Sequence, residues 1–286
     1  MQNLLQCDQD LLQAAVYSLK AKAQSLSFGR YLYQLQKASN GDQVNSSCFW
    51  LKGQSMREDG FQHAQQGFLQ EQMLYQQWSL QGHSFLLPHR FISVNQLDHR
   101  QLIQADHLHP QLLLLPHAES IFSQDSNQFT SSQIKALMIE IVSVLAQLTE
   151  LGWLHADLKA GHFVRYQGQV RLLDFEQAVL IASAKRPPMN ATPRYMAPEL
   201  FHGQPKSVQS DLYALGIVLL EWLTAQRLQA HTYKDWAVLH CQRLTIDLPQ
   251  QFIFFEPILR DMLAKQKAQR MRDFSQIKMR LISENV

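Results

Sequence analysis

Cysteine is scarce in this chain: Cys7, Cys48 and Cys241 are scattered through 286 residues, odd in number and without metal-ligand spacing. That excludes a disulfide framework and a cysteine-built zinc site, and it fits a reducing, cytoplasmic setting. No apolar run is long enough to span a bilayer; the longest, from Tyr213 to Ala225, is short and contains Glu221. The first residues lack the basic flank and apolar centre of a secretory leader, so none is expected. Charge of one sign is missing as well. The formal net charge is +2, with Lys and Arg interspersed among Asp and Glu, so neither a nucleic-acid partner nor an anionic membrane surface is expected. His83, His89, His99, His107, His109 and His117 crowd one region, yet no pair shares an evident face with a carboxylate, and they read as scattered histidines. What the chain does have is apolar content, 46% of residues, enough for a sizeable core.

Apolar spacing at Leu11, Leu12, Ala15, Val16 and Leu19 predicts an amphipathic helix from Asp10 to Ala23. Arg30 to Leu35 alternates as a strand, Ser39-Asn40-Gly41-Asp42 reads as a hairpin turn, and Val44 to Lys52 reads as the returning strand. A helical stretch from Phe68 to Tyr75 carries Glu71, and Gln111 to Pro116 reads as a buried strand ended by proline. Ser131 or Ser132 is the expected cap of a long helix striped by Ile134, Leu137, Met138, Ile141, Leu145 and Leu148 and ended by Gly152.

The stretch from Trp153 to Ala178 carries the chemistry. Asp157 lies in the loop His155-Ala156-Asp157-Leu158-Lys159, and Asp174 follows the apolar run Val170 to Leu173, with a small hairpin turning at Gln167 to Gln169 between them. Two acids so arranged suit phosphoryl transfer, in which one orients a hydroxyl nucleophile and the other holds a metal on the departing phosphate. Downstream, Ala191-Thr192-Pro193-Arg194-Tyr195-Met196-Ala197-Pro198-Glu199 is the most specific run in the chain.

These residues resemble the eukaryotic-like serine/threonine protein kinase family, whose patterns are H-R-D-L-x-x-x-N, D-F-G and a segment ending A-P-E. The resemblance covers about residues 25 to 280 and implies an α+β, two-lobed kinase fold. Residues 1–118 would form an N-terminal helix plus the small β-rich lobe, and residues 119–286 the helical large lobe, with ATP between them. It implies Asp157 as catalytic base, Lys159 as the cation that neutralises the transferring phosphate, and Thr192 as their docking partner. Asp174 would hold magnesium. Lys52 resembles the lysine of V-A-I-K, and Glu71, 19 residues on, its ion-pair partner. Leu115 to His117 would offer backbone to adenine, and Glu199 would pair with Arg270.

Four departures accompany the match. The phosphate loop reads Gln24-Ser25-Leu26-Ser27-Phe28-Gly29, with only Gly29 of three expected glycines. Ala156 replaces the arginine that binds a phosphorylated activation loop. Glu176 replaces a glycine, and His162 replaces the metal-binding asparagine, a softer ligand that favours Mn²⁺ over Mg²⁺. The leading reading is an ATP-dependent phosphotransferase acting on a protein Ser or Thr hydroxyl with Mg²⁺ or Mn²⁺. A pseudokinase that binds a regulatory protein partner is the second reading. A carbohydrate or lipopolysaccharide-type kinase, for which His162-Phe163 speaks, is the third.

Overall fold

The computed structural model describes residues 5, 9–37, 47–57, 61–183 and 191–283, and it first departs from the sequence reading at the N-terminus. In place of one helix from Asp10 to Ala23, helix α1 (Gln9–Ala14) gives way to strand β1 (Ala15–Leu19) and then to a short helical turn, α2 (Ala23–Leu26). The reason is a period of two hidden in the same residues: Ala15 and Tyr17 are buried while Val16 between them is half exposed. β1 pairs antiparallel with β2 (Arg30–Lys37). The Gln101 side chain serves two backbone groups on its open side, accepting from Tyr17 N at 2.9 Å and donating to Ala15 O at 3.1 Å. A side chain thus partly takes the place of a further strand at this edge.

The chain divides into two units, Met1–Ala118 and Glu119–Val286. The first contains β1, β2, β3 (Ser47–Gln54), helix α3 (Gln62–Gln81), β4 (Arg90–Ser93) and β5 (Gln111–Pro116). The five strands form one antiparallel sheet in the order β1-β2-β3-β5-β4. Tyr31, Tyr33, Leu35, Leu51, Leu112 and Leu114 form one face, buried against Leu12 of α1 and Val94, Leu97, Leu102 and Leu108 of the β4–β5 connection. The opposite face carries Lys52, in register with Leu32 and Leu113. The turn expected at Ser39 to Asp42 and the strand start expected at Val44 lie outside the described residues.

The second unit is mostly helical. It comprises β6 (Glu119–Ser120), α4 (Ser131–Glu150), β7 (Trp153–Leu154), β8 (Phe163–Tyr166), β9 (Gln169–Leu172), β10 (Val179–Leu180), α5 (Pro198–Phe201), α6 (Val208–Thr224), α7 (Tyr233–Val238), α8 (Glu256–Leu263) and α9 (Phe274–Ser283). The residue before those expected caps α4: Thr130 Oγ1 accepts from Gln133 N, and Gln133 Oε1 accepts from Thr130 N, a reciprocal capping box. Among the described residues α4 is the one helix long and apolar enough to cross a membrane; half of that stretch is buried inside the protein. α6 begins at Val208, and Asp211 lies within its first turn. It is buried nearly all round, from Ser210 to Leu223. β8 and β9 meet in a two-residue turn, Gln167 and Gly168, both at positive φ (48° and 78°), the conformation whose twist matches that of a hairpin. The expected α+β class is the one observed: a sheet-rich first unit and a helical second.

Candidate functional site

In the first unit the sheet face bearing Lys52 carries an ion pair. Lys52 Nζ stands 2.6 Å from Glu71 Oε2, with side-chain exposures of 17% and 2%. Glu71 occupies the buried side of α3 with Phe68, Leu74 and Tyr75. A carboxylate so deep is tolerated only with a partner, so the pair holds the lysine head in place.

Gly29 closes the β1–β2 connection at φ +70°. A Cβ there would fall 2.9 Å from Ser55 Cβ and 3.2 Å from the Phe61 ring, and its carbonyl accepts from Ser55 N at 2.7 Å. The end of β3 and the entry to α3 thus already require this glycine. Leu115 is half-buried on the Lys52 face, in register with Trp50. Trp50 escaped the sequence reading although V-A-I-K could have flagged it, because an alanine stands at that place in the pattern. Its Nε1–H donates to His117 Nδ1 at 3.1 Å.

In the second unit Asp157 is held from both sides. Thr192 donates to its Oδ1 twice, from N at 3.0 Å and from Oγ1 at 2.9 Å, while Lys159 Nζ stands 2.7 Å from Oδ2. The loop below is fixed by Asp211 of α6, which accepts from His155 N at 2.8 Å and from Ala156 N at 3.0 Å. Ala156 adopts φ +67°, a conformation costing an alanine roughly 1–2 kcal/mol. A buried cation helps to hold it there: Lys206 Nζ donates to Ala156 O at 2.8 Å and faces the charges of Asp157 and Asp211. Burial lowers the Lys206 ammonium from its usual range, and burial also pushes the Asp211 carboxyl up to about 7 against its two N–H bonds and the lysine. No sequence signal pointed to Lys206, which reaches the loop from fifty residues away. Asp157, Thr192, Tyr195, Met196, Lys206 and Asp211 are among the residues lining one recess.

Asp174 adopts φ +65° at the end of β9. His162 Nε2 lies 3.3 Å from its Oδ2, and the His162 ring stacks on His155 with centroids 5.2 Å apart. His155 is fully buried, its Nε2 against Leu173 O at 3.0 Å, and burial brings its pKa down to about 4, so the ring is neutral. A neutral ring facing a carbonyl carries its proton on Nε2. The structure therefore groups Asp157, Lys159 and Thr192 on one carboxylate, and His162 with Asp174 on another. One imidazole nitrogen and one carboxylate oxygen fit a divalent cation that accepts mixed N and O donors, which Mn²⁺ does more readily than Mg²⁺.

The following segment is anchored firmly. Glu199 and Arg270 form a bidentate pair with exposures of 4% and 0%, and Arg270 also donates to Gln209 O and Ala264 O, both at 2.8 Å. Arg194 Nη1 reaches Glu221 at 3.4 Å and lies over the Trp236 ring.

Comparison with known proteins agrees with this geometry. The protein kinase domain family matches residues 61–280. The probable serine/threonine-protein kinase mkcF of Dictyostelium discoideum is 31% identical over 102 residues, 35% of this chain and 15% of that protein. The probable serine/threonine-protein kinase PknB of Lactococcus lactis is 34% identical over 94 residues, 32% of this chain and 15% of its own length. The serine/threonine-protein kinase shk1/pak1 of Schizosaccharomyces pombe is 32% identical over 104 residues, 35% and 16% respectively. The alignments thus span about a third of this chain and under a fifth of these relatives. With the family matched over residues 61–280, across Lys159, Asp174 and Glu199, the chain belongs to the protein kinase domain family.

Proposed function

We propose that this chain transfers the γ-phosphate of ATP to a Ser or Thr hydroxyl of a protein. The observation that carries the reading is the Asp157 carboxylate, whose Oδ1 is fixed by Thr192 and whose Oδ2 is paired with Lys159. Asp157 would accept the hydroxyl proton, and Lys159 would neutralise charge on the transferring group. Lys52, fixed by Glu71, would hold phosphate oxygens, with Gly29 and Leu115 as further nucleotide contacts. Asp174 and His162 would hold Mg²⁺ or Mn²⁺, which when bound screens phosphate charge.

Transfer of radiolabel from ATP to a protein acceptor, with Mg²⁺ and with Mn²⁺, tests the proposal. Asp157→Asn should lower the rate by roughly 10²–10⁴-fold, the usual worth of a general base. No transfer with either metal would refute the enzyme reading. In that case the second reading, a binding module for a regulatory protein partner, takes over; the His162–Asp174 contact, which engages one acid with a side chain, favours it.

A further inference from the structure

Side chains two residues apart on a strand share a face, so Trp50 stands beside Lys52 on the side of the sheet opposite the tyrosine-rich core. Its partner in register is Leu115, and its indole runs along β5 to the strand's end. There Nε1–H donates to His117 Nδ1 at 3.1 Å, and the two rings lie 27° from parallel with centroids 6.3 Å apart. Indole nitrogen only donates, so His117 accepts with Nδ1 and keeps its proton on Nε2. A planar bicyclic ring with one N–H therefore stands beside Leu115 on the same face and reaches His117. Leu115 is a nucleotide contact of the proposed function, the family resemblance offers Leu115 to His117 to the base, and the inference rests on that reading.

We propose that Trp50, latched by His117, is a built-in occupant of the purine subsite. A base and an indole cannot both lie on Leu115. The phosphates keep access to Lys52, whose pair with Glu71 does not involve the indole. Nucleotide binding then draws on the phosphates and gains little from the base until the indole swings away, and the chain discriminates poorly between ATP and GTP. Apparent affinity is reduced by the fraction of molecules in the open state. Trp50 is half-buried and His117 exposed, so the latch opens without unfolding the sheet.

Calorimetric titration of the full chain and of Trp50→Ala with ATP, GTP and tripolyphosphate tests this. With the open state at or below about one in ten, Trp50→Ala should tighten ATP by at least about tenfold, as expected for removing such a closed state. Tripolyphosphate, which has no base, should bind both chains equally. His117→Ala breaks the latch while leaving the indole, and should tighten ATP by a smaller factor; as an exposed substitution it also serves if Trp50→Ala fails to fold. Equal ATP affinity in wild type and both variants overturns the plug and leaves the nucleotide site standing. Weaker ATP binding in Trp50→Ala also overturns it, by showing that the indole stacks under the base. Binding of no probe by any chain overturns the plug together with the nucleotide-site reading.

Discussion

Replacing Lys206 with Met removes one charge and keeps most of the stem. In the native structure Lys206 is 8% exposed, and its ammonium donates to Ala156 O at 2.8 Å and faces Asp157 and Asp211. Loss of a hydrogen bond from a charged donor costs about 1.5–3 kcal/mol. Breaking a buried ion pair from one side costs about 3–5 kcal/mol, but Asp211 keeps its two backbone donors, which lowers that figure. A net loss of about 2–4 kcal/mol follows, read by urea denaturation with far-ultraviolet circular dichroism. The loss has a pH signature. Asp211 is raised to about 7, mainly by burial, so it is neutral in the native state below that pH and needs the cation only above it. The deficit of Lys206→Met should therefore be larger near pH 8 than near pH 5. A loss under about 0.5 kcal/mol, well below the cost of one charged hydrogen bond, or a deficit independent of pH, would refute the coupling.

Two further outcomes are expected. Arg270→Ala leaves Glu199 buried without its cation and removes donors to Gln209 O and Ala264 O; it should cost about 3–5 kcal/mol in the same unfolding measurement. His240 is fully buried, bonded to Tyr213 Oη at 2.9 Å, and burial brings its pKa from 6.5 down to about 4. A base whose folded pKa lies below its unfolded one contributes stability above pH 6.5 that is lost as pH falls toward 4. Unfolding free energy should thus drop by about 2 kcal/mol more between pH 7 and pH 5 in the wild type than in His240→Gln, measured by urea titration at both pH values.

Local order was the part of the fold most legible in the sequence. The α4 stripe from Ile134 to Leu148 has one period, and the hairpin at Gln167-Gly168 has its turn chemistry written in two residues. Lys52, Glu71, Asp157, Thr192 and Asp174 were legible because their neighbours form recognisable patterns. The N-terminal segment was not, since Ala15 and Leu19, four residues apart, satisfy a helix and a strand equally, and the choice is made by β2 and by Gln101, 84 residues from Tyr17. Thr130 was passed over for adjacent serines because any of three hydroxyls can cap, and the backbone decides. Lys206 was invisible for a different reason: a lone lysine in a sequence is ordinarily solvated, and only the fold shows it buried on the Ala156 carbonyl. Trp50 passed as an ordinary strand residue until its register with Leu115 brought it to His117.

The grip of Asp211 on the amides of His155 and Ala156 also bears on which parts of the protein can open alone. Those two hydrogens are bound to a side chain in the first turn of α6, the helix with the most complete burial in its unit. Release of those amides requires the loop backbone to leave an acceptor that belongs to the core. The amides of His155 and Ala156, though in an irregular loop, are therefore expected to exchange far more slowly than those of an exposed turn.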